Sequence, residues 1–100
     1  MKYLGAFEEF NPGMNFPSIK EHFCQSPYKG MEKIAEYLDN GRTTYVTTSY
    51  PRDVFTGKRI PGERFGVTDG EYSWPSFLSY YVREYNLKLP EEFENKVFNL

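Results

Sequence analysis

Thr68-Asp69-Gly70-Glu71-Tyr72-Ser73-Trp74-Pro75 runs on through Phe77, Leu78, Tyr80, Tyr81, Val82 and Tyr85 to Leu89-Pro90-Glu91-Glu92-Phe93. It places a turn, a strand, a helix start and a helix stop in one stretch. Asp69-Gly70 is the two-residue signature of a type I′ hairpin, because Asp tolerates a left-handed backbone and Gly adopts positive φ freely. Strands are expected on either side, from Arg64 to Thr68 and from Glu71 to Trp74. Ser73 then offers a side-chain cap and Pro75 a first-turn residue whose missing N–H costs nothing, so a helix is expected over 75–86. Its apolar stripe is Phe77, Leu78, Tyr81, Val82 and Tyr85, with Arg83 and Glu84 turned outward. Pro90 opens a last short helix, in which Glu91 and Glu92 favour the positive N-terminal end and Phe93 and Val97 lie one turn apart.

Upstream, Thr43 to Tyr50 is β-branched and aromatic and reads as a strand ended by Pro51. A second strand is expected around Val54 to Ile60, with Thr56-Gly57-Lys58 as a kink or turn, before Pro61-Gly62 breaks the chain. Met31, Ile34, Ala35 and Leu38 follow helical spacing, so a helix is expected over Glu32 to Asn40 with Asn40-Gly41 as a left-handed stop. The segment 1–28 is loop-rich and holds Pro12, Pro17 and Pro27; a short helix over Ile19 to Cys24 is expected behind a Ser18–Glu21 capping box. The whole reads as one α+β domain, 1–100. A small antiparallel sheet of three to four strands is packed by two main helices, with short helices nearer the termini.

Phe, Tyr and Trp supply 19% of the residues, and each buries about 150–250 Å², so the core is expected to be aromatic. Nine tyrosines exceed what such a core holds with every hydroxyl paired, and several are expected at the surface. The net charge of −2 hides an uneven distribution: −2 over residues 1–41, +3 over 42–64 and −3 over 65–100. An acidic chain suits a basic partner and disfavours nucleic acid, which takes up basic groups as counterions. Cys24 is the single cysteine, which points to a reducing compartment. The start of the chain does not read as a signal peptide, and no apolar run reaches the roughly 18 residues that span a bilayer.

The residues carry little catalytic signal. His22 lies between Ile19 and Phe23 without a Ser or Cys pairing motif, and His22 and Cys24 are too few for zinc. Thr56-Gly57-Lys58 lacks the upstream glycine and following hydroxyl of a phosphate loop. Asp69 is accounted for by the turn, whereas Glu71 leaves it with no structural task. Trp74 is expected in the core, against the last helix. Tyr72, Tyr80 and Tyr81 cannot all face inward, since positions 80 and 81 point about 100° apart on a helix. Arg42, Arg52, Lys58, Arg59 and Arg64, interleaved with Tyr45, Tyr50 and Phe55, have the composition of a single-stranded nucleic-acid platform.

The quoted stretch from Thr68 to Phe93 resembles small acidic bacterial proteins that look like the immunity proteins of polymorphic, contact-dependent growth inhibition toxin systems. The similarity covers roughly residues 29–95 and is strongest over the last third. It implies a cytoplasmic, toxin–antitoxin-like role: binding a toxin domain, often a nuclease, and blocking its active site or substrate entry, with no catalysis, cofactor or metal. Glu71, Tyr72, Tyr80 and Glu84 are the expected partner contacts, being on or beside the hairpin and helix and not all needed by the core. Replacing Glu71 and Tyr72 is expected to weaken binding and spare stability. The alternatives are a nucleic-acid or nucleotide-binding module using segment 42–64 and, weakest, an enzyme built on His22 with Asp69 or Glu71.

Overall fold

In the computed structural model, which describes residues 2–47 and 49–100, the chain forms an α+β arrangement of three helices and a four-stranded sheet. The elements are β1 (Lys2–Tyr3), α1 (Met31–Asp39), β2 (Arg42–Val46), β3 (Phe65–Thr68), β4 (Tyr72–Pro75), α2 (Leu78–Tyr85) and α3 (Glu91–Phe98), with a 3₁₀ turn at Ile19–His22. The sheet order is β1-β4-β3-β2. β2 pairs antiparallel with β3 and β3 with β4, but β1 runs parallel to β4, so the sheet is mixed. The two-residue β1 is too short to show any alternation in sequence.

Trp74 and Pro75 lie in β4, which corrects the expected helix start at Ser73. The residue before a proline is pushed towards extended backbone, and Trp74 is held there by pairing with Val67, as Pro75 is with Gly66. Along the β1 side, Lys2 N donates to Glu71 O (3.0 Å) and Leu4 N to Ser73 O (2.8 Å). The next rung would need an N–H from Pro75, which has none, and the ladder stops. Helix α2 therefore begins only at Leu78, with Phe77 at its cap.

The hairpin also differs from the two-residue type. Thr68 pairs with Ser73 and β4 starts at Tyr72, leaving 69–71 between the strands. Gly70 has positive φ (99°) and Asp69 does not. The Asp69 carboxylate instead accepts from the N–H groups of Glu71 (2.9 Å) and Tyr72 (2.7 Å), an Asx turn. Downstream of β2, which ends at Val46, Thr48 lies outside the described residues and 54–60 is not a strand. There Asp53 accepts from Phe55 N (2.8 Å) and Thr56 N (3.2 Å), and the chain reverses through Gly57 at φ 75°. The capping box at Ser18 and the α3 start at Pro90 are as the sequence reads.

The core is aromatic. Trp74, Tyr81 and Phe93 are at most 1% exposed and pack with Ile34, Leu38, Leu78, Val82, Leu87 and Val97. Trp74 contacts Phe93 of α3, with ring centroids 5.9 Å apart, and its Nε1–H donates to Leu38 O (3.0 Å). Gly41 ends α1 without left-handed backbone, since neither it nor Asn40 has positive φ. Its reason is space: a Cβ there would lie 2.4 Å from Val67 Cγ1 and 2.9 Å from Trp74. Gly41→Ala is therefore expected to cost about 1–3 kcal/mol in urea unfolding. Wild-type stability in that variant would mean that the α1–β2 corner yields freely.

Candidate functional site

The hairpin carries a dense polar cluster. Asp69 accepts hydrogen bonds from Tyr37 OH (2.5 Å) and Lys96 Nζ (2.9 Å) in addition to the two loop N–H groups. Lys96 also pairs with Glu71 (2.9 Å). Burial acting alone would raise the Asp69 carboxyl, but Tyr37, the Tyr72 N–H and Lys96 together hold it well below the usual carboxylate range. Tyr72 is 3% exposed, edge-on to Phe93 (5.0 Å), with Lys2 and Lys96 over its ring. This corrects the expectation that Tyr72 is presented to a partner: its ring belongs to the core, and its removal would cost stability. Glu71 is exposed, yet engaged by Lys96.

A second carboxylate fastens the loop between β2 and β3 to α2. Asp53 is 1% exposed, and its Oδ2 accepts from Tyr80 OH (2.7 Å) and Tyr85 OH (2.6 Å). The Tyr81 hydroxyl accepts from Val54 N (3.1 Å). Among the described residues no Lys or Arg pairs with Asp53, so its charge rests on hydrogen-bond donors. Despite burial, those donors hold its carboxyl below the ordinary value. In return the Tyr80 hydroxyl is pushed up to about 12 by its bond to Asp53. Sequence reasoning passed over Asp53. The signal was present, since an Asp four residues before Gly57, with Thr56 between, is a turn pattern.

This clamp sets one wall of a groove of about 340 Å³ along α2. Ile60, Phe65 and Phe77 are among its apolar lining residues, and Tyr80, Glu84 and Glu63 also line it. Arg83, also in the lining, is taken by Glu32 (3.0 Å) and Asp39 (2.9 Å). Glu63 and Glu84 form no ion pair among the described residues, so the groove has two uncompensated carboxylates. Of the four expected contacts, the structure thus brings Tyr80 and Glu84 together here. Glu71 and Tyr72 meet instead at Lys96, and the two pairs share no lining residue.

The remaining surface is the sheet face away from the α1 and α3 contacts, which run through Tyr72 and Trp74. The register of the paired strands, with a shift between Thr43 and Tyr45 that brings Tyr45 to the same side as Arg42, puts Tyr3, Ser73, Pro75, Gly66, Tyr45 and Arg42 on that side. Tyr3 is 48% and Tyr45 57% exposed, and all of edge strand β2 is exposed. His22 is exposed, its ring beside Phe7 (5.7 Å), and it contacts neither Asp69 nor Glu71. No helix among the described residues is long and apolar enough to cross a membrane. No family model matches the chain, and neither a curated protein nor a solved structure matches it.

Asp69→Asn is expected to lower stability at neutral pH by about 1.5–3 kcal/mol, the range for a hydrogen bond to a charged group. The folded carboxyl lies below its ordinary value of 3.8. Its contribution is therefore complete above that value and is lost as pH falls through the folded pKa. Urea unfolding across the acid range checks this: the wild type should lose stability steadily below the ordinary value and Asp69→Asn should lose less. Superimposable acid limbs would assign the effect elsewhere.

Proposed function

We propose that this domain is an immunity-type protein that binds and neutralises a bacterial toxin domain by covering its active site or substrate entry. The groove along α2 carries the reading. It has an apolar floor and two carboxylates, Glu63 and Glu84, that form no ion pair among the described residues. A toxin acting on phosphates, such as a nuclease, carries basic side chains. A Lys or Arg on its surface would bury its stem on the floor and its charge between the two acids. Tyr80 supports the fit: with its hydroxyl fixed on Asp53, its ring is pre-ordered and loses little entropy on contact. Glu71 contributes at most a rim charge, since Lys96 already holds it. The site of action is the cytoplasm, in keeping with the single unpaired Cys24.

On this reading the neighbouring gene encodes a large secreted protein ending in a toxic domain, and co-expression of the present chain restores growth to a host making that domain. A host that dies equally with and without the chain overturns the proposal. Glu63→Lys with Glu84→Lys should weaken binding at least about tenfold, the scale of a close interfacial charge pair. Both side chains are exposed, so the unfolding midpoint should be unmoved. Full rescue by the double variant would place the interface outside the groove.

A further inference from the structure

We infer that the open face of the sheet, which carries Tyr3, Tyr45 and Arg42 and has Arg64 at its edge, is a binding surface for single-stranded nucleic acid. It shares no lining residue with the groove along α2 and goes beyond the toxin-binding reading.

Glycines form its floor. A Cβ on Gly66 would lie 2.2 Å from the Tyr45 ring, and one on Gly5 would lie 2.6 Å from the Tyr3 hydroxyl and 2.9 Å from Pro75. The two tyrosines therefore lie over bare backbone at β1 and β2, each about half exposed. Of the other tyrosines, Tyr28, Tyr37, Tyr80, Tyr81 and Tyr85 make hydroxyl hydrogen bonds, Tyr72 is buried against Phe93, and Tyr50 is covered by Arg59, 3.6 Å from its ring centroid. Among the described residues the hydroxyls of Tyr3 and Tyr45 make no hydrogen bond.

Charge is sorted in the same way. Glu32, Asp39, Asp69, Glu71, Glu92 and Glu94 are all ion-paired to Lys or Arg. Among the described residues, none of the five cations in 42–64 pairs with a carboxylate. Arg42 shares the face with Tyr45 through the register shift between Thr43 and Tyr45, and Arg64, at the start of β3, has its guanidinium over the Phe77 ring, 5.6 Å from the centroid. At physiological salt, charges more than about 8 Å apart are largely screened. An approaching strand therefore meets two arginines and two half-exposed rings, with Glu63 beside Arg64 as the nearest acid in sequence. Rings suit any base, and arginines suit phosphate.

The test is fluorescence anisotropy of the full chain with a labelled oligouridine or oligothymidine dodecamer, titrated with salt. The expected result is binding whose log–log salt slope is about −1.4, two phosphates at about 0.7 each. Tyr3→Ala and Tyr45→Ala should each raise Kd at least about fivefold, the lower end for one base–ring stack; Tyr45→Phe should keep affinity. Circular dichroism and the melting midpoint of each variant verify the fold. Absence of binding at low salt overturns the inference, and so does binding indifferent to both alanine substitutions. Polyglutamate binding as tightly as the oligonucleotide would reassign the face to an acidic protein. Growth rescue by Tyr3→Ala and Tyr45→Ala variants separates the outcome from that of the toxin-binding reading.

Discussion

The burial of Trp74 governs the rest of the structure. Its indole lies between the sheet, the end of α1 and Phe93 of α3, with the ring N–H satisfied by Leu38 O. A buried indole donor without a partner would cost several kcal/mol, so the position of Leu38, and with it the end of α1, is tied to β4. Gly41 must then be a glycine for α1 to turn into β2 against this ring. Because Trp74 is also forced into extended backbone by Pro75, the strand continues to that residue. α2 begins later than a capping argument would place it, and this sets where Tyr80, Tyr81 and Tyr85 stand.

Two buried carboxylates complete the frame by one device. Asp53 and Asp69 each use one oxygen on backbone N–H groups of a turn and the other on tyrosine hydroxyls, with Lys96 added at Asp69. Each ties a loop to a helix: Asp53 holds 51–60 on α2, and Asp69 holds the hairpin on α1 and α3. Charged acceptors make such bonds about twice as strong as neutral ones, which suits a small domain whose loops bury little apolar surface. The groove wall and the hairpin loop are thereby tied down outside regular secondary structure.

Net charge gives a poor description of this molecule's surface. Of the acids of the last third, Asp69, Glu71, Glu92 and Glu94 are matched by Lys2, Lys88 and Lys96, and Arg83 matches Glu32 and Asp39 of α1. Among the described residues, the groups without an ion pair include Glu63 and Glu84 in the groove and the arginines of 42–64. Two surfaces of opposite character result, and an average over the sequence cancels them.

The α+β class, the stripes of α1 and α2, the Ser18 cap and the Pro90 start were legible in the sequence, because periodicity and capping act within a few residues. Also legible were the aromatic core and the surplus of tyrosines at the surface. Tertiary structure alone decided that Tyr72 is core and Tyr80 is tethered, since both depend on partners far away in the chain, Phe93 and Asp53. It also decided that a two-residue strand joins in parallel and that 54–60 closes on Asp53 in place of a strand. Local spacing determines which face of an element is apolar. Which charges find partners, and which surface is left open, follows from contacts between distant segments that no window of sequence contains.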